Sequence, residues 1–207
     1  MNWEQLLSTQ RYRTGKIAKS NGKSDLRSEF EKDYHRIIGS ASFRRLQDKT
    51  QVFPLDKSDF IRTRLTHSLE VSSFAKSLGQ NIGENILTYK KDPTFTVRMK
   101  EDICNVLQCA GLIHDIGNPP FGHIGEDAIR EWFRDHLHAL EYHGRPLDEI
   151  LTPQMREDLY HFEGNAQAFR LVTKLHYLVD DRGMNLTYAL LNTIVKYPVP
   201  SHQMDPH

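Results

Sequence analysis

The stretch GLIHDIGNPPFGHIGE at positions 111–126 concentrates the side chains most able to do chemistry. His114 and Asp115 are neighbours. After a Gly-Asn-Pro-Pro break, His123 and Glu126 follow at i and i+3. Residues three apart share one helix face. A helix beginning near Gly122 would therefore let Glu126 orient the His123 imidazole and hold its proton, as a general acid or base requires. The same spacing also makes an ordinary local pair that stabilises a helix. His114 falls on the inward stripe of Ile103, Val106, Leu107 and Ala110. An aspartate beside it, if buried, needs a partner or a metal, because an unpaired charge in a low-dielectric interior is costly. A hydrogen-bonded His-Asp pair capping a helix end has the same appearance. His67, upstream in RTRLTHSLEV, opens a second helix. A helix-borne histidine with a His-Asp pair at the end of another helix supplies the mixed imidazole and carboxylate ligands that suit a divalent ion.

The elements that must carry these residues are almost all helical. In 65–87, Val71, Phe74, Ala75, Leu78 and Ile82 repeat at helical spacing, which predicts one apolar stripe turned to the core. Residues 100–115 repeat the pattern until Gly117 and Pro119-Pro120 stop the helix. Further amphipathic segments lie at 125–140 (Ile129, Trp132, Phe133, Leu137), at 163–179 (Phe169, Val172, Leu175, Leu178) and at 29–49. The best extended candidate is TQVFPLDK at 50–57, which Pro54 limits to an edge or turn. Loops are expected at 12–25, 54–60, 88–96 and 141–153. No internal repeat or domain boundary is visible.

Composition bounds the class. The 207 residues are 38% hydrophobic and 26% charged, as in an ordinary globular chain. No apolar run approaches the ~18–20 residues of a membrane span, and the first residues lack the apolar core of a secretory signal. Cys104 and Cys109 show no CxxC spacing and read as reduced thiols of a cytoplasmic protein. The net charge of zero hides an asymmetry: residues 1–64 carry 14 Lys+Arg against 8 Asp+Glu. A basic first third suits an anionic ligand such as nucleotide phosphates or nucleic acid, and is equally compatible with solvated faces.

Five segments together resemble the deoxyguanosine triphosphate triphosphohydrolases (dGTPases) of the HD-domain superfamily. They are DYHRIIGSASFRRLQDKTQVFPL (33–55), RTRLTHSLEVSSFAKSLG (62–79), GLIHDIGNPPFGHIGEDAI (111–129), FEGNAQAFRLVT (162–173) and NLTYALLNTIVKYP (185–198). The resemblance implies an all-α, HD-domain helical bundle with at most a short extended segment near 50–55. The chain divides into an N-terminal arm over 1–28 and an HD-domain core over 29–207, which beside the longer family members is apparently truncated at its C-terminal end. The resemblance makes His67, His114 and Asp115 metal ligands and His123 and Glu126 the catalytic pair that activates the attacking water. Gln51 and Arg64 fall where the family meets the sugar and the phosphates, and Lys196 and Tyr197 where it meets the triphosphate and the sugar. The implied cofactor is a divalent metal ion, Mg or Mn first, with Fe, Zn, Ni and Co as alternatives.

The implied reaction takes dGTP or another dNTP to the deoxynucleoside and tripolyphosphate, by attack at the α-phosphorus. A cation such as Arg64 or Lys196 would neutralise phosphate charge, and the metal would polarise a phosphoryl oxygen. The resemblance further implies a homo-oligomer in the full-length form, a single-stranded DNA effector as a candidate input, and no membrane association. In one respect the chain departs from the pattern: the family completes its ligand set with a second aspartate beyond the IVKYP motif. Asp180, Asp181 and Asp205 do not match that position. Two alternatives follow, an HD phosphohydrolase for another nucleotide and a non-catalytic fragment that binds nucleotide or nucleic acid.

Overall fold

The computed structural model describes residues 2–12, 25–51, 60–90, 92–177 and 183–203. In chain order the elements are α1 (Trp3–Leu6), α2 (Glu29–Ile38), α3 (Ala41–Arg44), α4 (Arg64–Asn85), α5 (Val97–Ile113) and α6 (Gly122–His136). A small hairpin of β1 (Glu141–Tyr142) and β2 (Arg145–Pro146) follows, then α7 (Leu147–Ile150), α8 (Pro153–Tyr160), α9 (Gly164–Arg170) and α10 (Tyr188–Asn192). The architecture is all-α. Among the described residues no helix is long and apolar enough to cross a membrane.

Local sequence explains most helix starts. Ser28 and Glu31 form a reciprocal capping box on α2, while the side chains of Thr63, Thr96 and Thr152 accept from the backbone N–H of the third residue of α4, α5 and α8. The segment expected as one helix over 29–49 breaks at Gly39-Ser40. There Ser40 caps α3, and a tight 3-10 turn continues through Arg45–Asp48.

The helix α5 forms the centre. Cys109, Leu112 and Ile113, with Ile116 just beyond, pack against Ile37 of α2, Phe43 of α3, Leu46, Ala168 of α9, Val172, Met184, Leu186 and Leu190 of α10. Both cysteines are free and buried.

The face that α4 turns to this core corrects the sequence expectation. Ser68, Ser72, Gly79 and Gly83 are buried, whereas Phe74, Leu78 and Ile82 are 72%, 59% and 48% exposed. The reason is close approach. A Cβ placed on Gly111 of α5 would lie 2.5 Å from the Ser72 Cα, so the two backbones nearly touch. Only small residues permit this spacing, and the Ser72 hydroxyl is satisfied by donating to the Gln108 carbonyl at 2.9 Å. The larger apolar side chains are displaced one stripe round the helix, and Val71 and Ala75 are left half-buried between the two faces.

Other expectations differ in smaller ways. Leu137 and Val172 are buried, but Trp132, Phe169 and Leu175 are 46%, 38% and 55% exposed. Leu178 lies outside the described residues. The hairpin occupies a stretch read as loop, turning through His143 and Gly144 at φ 50° and 72°, the left-handed pair that a two-residue hairpin turn requires. Of the extended candidate, Thr50 makes an isolated antiparallel bridge to Thr63, and residues 52–59 lie outside the description. Residues 2–12 are tied to the bundle. Arg11 pairs with Glu29 and Asp33 of α2 and bridges to Thr187, while Trp3 packs on Phe95 and donates to Asp92.

Candidate metal centre and acid-base pair

His67, in the first turn of α4, meets His114 and Asp115 at the C-terminal end of α5. One donor atom from each of the three lies within 4.8 Å of the others. His67 Nε2 is 4.0 Å and His114 Nε2 3.5 Å from Asp115 oxygens, and the two imidazoles meet edge to face at 5.2 Å between ring centres. The backbone carbonyl of Gly111 lies 2.8 Å from His114 Nδ1. A proton on Nδ1 donated to that carbonyl leaves Nε2 with its lone pair free on the Asp115 side, the tautomer a ligand needs. Two imidazoles and a carboxylate, partly buried and converging, are a donor set that fits a divalent metal ion.

The carboxylate of Asp115 is held from both sides. Its Oδ2 accepts from Arg64 Nη1 at 2.7 Å, and its Oδ1 accepts from Asn118 Nδ2 at 2.7 Å. Arg64 is almost fully buried, which only a paired guanidinium tolerates, and its Nε has no hydrogen-bond partner among the described residues. Nearby, Lys49 donates to the Asn118 carbonyl at 2.8 Å. Burial first, then the guanidinium groups of Arg64 and Arg45, push the Lys49 ammonium below its ordinary value. This corner of the site is therefore crowded with positive charge around one carboxylate.

The chain leaves the centre through Phe121 and Gly122, both left-handed at φ 66° and 55°, and enters α6. There His123 and Glu126 face each other, with His123 Nδ1 2.7 Å from Glu126 Oε2. Their burial is opposite: the Glu126 side chain is 4% exposed and that of His123 is 89% exposed. Glu126 is fixed further by the Gly164 N–H, which donates to its Oε1 at 2.7 Å from the N-terminus of α9. The arrangement anchors the carboxylate and presents the imidazole Nε2 to solvent, where a substrate could reach it. Gly164 also joins the two halves of the site. A Cβ there would lie 2.0 Å from Asn118 Oδ1 and 2.8 Å from Glu126 Oε1, so no other residue leaves room for both side chains.

The four expected substrate-binding residues are placed differently from one another. Arg64 is in the metal corner, already paired with Asp115. Gln51 donates its backbone N–H to the Arg62 carbonyl, and its Oε1 is buried with no hydrogen-bond partner among the described residues. Lys196 and Tyr197 lie exposed just after α10, with the Lys196 ammonium 5.1 Å from the Tyr197 ring centre. A hydrogen bond to Tyr197 raises the Lys196 ammonium above its ordinary value. Sequence reasoning did not single out Asn118, Lys49 or Gly164. Asn118 is visible only as part of a helix-stopping GNPP turn, and the other two stand inside motifs without any spacing that marks a role.

With this geometry in view, the chain belongs to the HD-domain family, which is matched over residues 64–177. Within that class it is 58% identical to a deoxyguanosinetriphosphate triphosphohydrolase-like protein of Listeria innocua and 47% identical to one of Pseudomonas aeruginosa. It is 37% identical to a deoxyguanosinetriphosphate triphosphohydrolase of Yersinia enterocolitica. These similarities cover 97%, 99% and 98% of this chain but only 43%, 43% and 42% of the relatives. The chain thus spans less than half the length of the curated relatives it matches.

Proposed function

We propose that this chain carries the metal-binding and acid-base part of a phosphohydrolase that cleaves dGTP, or dNTPs more broadly, to the deoxynucleoside and tripolyphosphate. The observation that carries the reading is the convergence of His67, His114 and Asp115 within 4.8 Å, joined through Asn118 and Gly164 to the His123-Glu126 pair. The names of the relatives, which are longer proteins, support the choice of substrate class.

In this reading His67, His114 and Asp115 hold a divalent ion, Mg or Mn first. When bound, the ion supplies Lewis acidity to a phosphoryl oxygen. His123, with its Nδ1 proton held by Glu126, takes a proton from water at Nε2. The water oxygen bonds to the α-phosphorus, the bond from phosphorus to the 5′-oxygen breaks with its electron pair going to that oxygen, and the departing 5′-oxygen takes a proton from solvent while His123 releases its own. Lys196 offsets phosphate charge, and Tyr197 lies against the sugar. Arg64 reaches phosphate only by sharing its guanidinium with Asp115. A homo-oligomer and a single-stranded DNA effector belong to the same proposal, as does a cytoplasmic setting.

A second reading has a specific observation behind it. Among the described residues the group supplies three protein donors, so nucleotide and metal binding without turnover is the alternative. Incubating the protein with dGTP and Mn or Mg separates the outcomes. Deoxyguanosine plus tripolyphosphate is expected; dGMP plus pyrophosphate overturns the chemistry, and binding without product selects the second reading.

A further inference from the structure

Resting on the reading of Asp115 as a metal ligand, we infer that Asn118 is a positioning residue that presents this carboxylate to a bound divalent cation, with Lys49 as the clip that holds Asn118 in place. Neither residue belongs to the donor set. Their involvement follows from a closed circuit of four hydrogen bonds.

Asn118 Nδ2 donates to Asp115 Oδ1 at 2.7 Å, and Arg64 Nη1 donates to Asp115 Oδ2 at 2.7 Å. Lys49 Nζ donates to the Asn118 carbonyl at 2.8 Å, and the Arg64 backbone N–H donates to the Lys49 carbonyl at 2.9 Å. The circuit ties the end of α5, the start of α4 and the segment after α3 around one carboxylate. Each carboxylate oxygen has two lone-pair sites, so each accepts one of these bonds and keeps one lone pair for a cation.

Asn118 is suited to the task for three reasons. Its amide is neutral, so it fixes Oδ1 without the charge competition a second cation would bring, and Asp115 keeps its attraction for a metal. Its backbone is held at both ends, the N–H donating to the Asp115 carbonyl at 3.1 Å and the carbonyl accepting from Lys49. Its other amide atom, Oδ1, occupies the space beside Gly164 where a Cβ would come within 2.0 Å, so glycine at 164 is what admits this placement of the side chain. Partners of this kind typically change metal affinity 10- to 100-fold when removed.

The test is Mn2+ binding by isothermal titration, with the Mn2+ EPR line shape as a second readout. Asn118→Ala is expected to weaken Mn2+ binding by roughly 10- to 100-fold and to broaden the range of bound-ion environments. Lys49→Met should weaken it less and in the same direction, and Lys49→Arg should restore it. Far-UV circular dichroism and metal-free melting establish that each variant is folded. If Asn118→Ala fails to fold, Lys49→Met and its rescue by Lys49→Arg carry the test. Asp115→Asn is the control that separates the two levels. If it abolishes binding while folded Asn118→Ala and Lys49→Met bind within twofold of the parent, the positioning role is overturned and the metal reading survives. If Asp115→Asn binds as the parent does, both fall.

Discussion

At the scale of single residues, the contrast between Glu126 and His123 is the most consequential. The two lie 2.7 Å apart, yet one is sealed by the Gly164 N–H and the other faces solvent. Such a pair moves protons only if the buried member stays an acceptor for the Nδ1 proton. Glu126→Gln keeps the shape and leaves the three metal donors untouched, but removes the charge that stabilises a protonated imidazole. Steady-state turnover of dGTP by the variant should fall about 10²- to 10⁴-fold, the usual contribution of a positioned acid or base, while Mn2+ affinity stays unchanged. A loss of both together would place Glu126 in the metal site instead. The types and spacing of His67, His114, Asp115, His123 and Glu126 were legible in the sequence, because metal and proton chemistry use few side chains. Asn118, Lys49 and Gly164 were not, because an amide, an ammonium and a missing side chain acquire a role only from what folds against them.

At the scale of elements, α4 shows how a periodic pattern can name a helix correctly and its buried face incorrectly. Sequence periodicity records where apolar residues fall, not which face another helix can approach most closely. The stripe of Ser68, Ser72, Gly79 and Gly83 lets α5 come nearly into backbone contact, and the bulky stripe beside it stays in solvent. The energetic consequence separates two superficially similar leucines. Leu112 of α5 is fully buried, so Leu112→Ala should cost about 2–5 kcal/mol in urea unfolding. Leu78 is 59% exposed, and Leu78→Ala should stay within about 0.5 kcal/mol of the parent. Equal costs at the two positions would refute this packing. The break between α2 and α3 teaches the same lesson in miniature: the apolar repeat runs on through 29–49, but Ser40 starts a new helix there.

At the scale of the whole molecule, the donors come from separate elements, so an ion bound to them cross-links the fold. The loop after α3, the first turn of α4, the end of α5 and the start of α9 all meet around Asp115, Asn118 and Glu126. An ion that binds only the folded chain stabilises it by mass action, about 2.7 kcal/mol at 100 times its dissociation constant. Thermal melting should therefore shift upward with added Mn2+ and return to the metal-free value with excess chelator. An unchanged midpoint at saturating Mn2+ would count against the site. The sequence by itself determined the all-α class, because helical period is a local property of the chain, and its motifs carried the resemblance to the HD-domain family and with it the candidate site residues. Only the tertiary structure decided which face of α4 is buried and which neutral groups hold the reactive ones. Those depend on distances between backbones far apart in sequence, and a linear pattern carries no record of such distances.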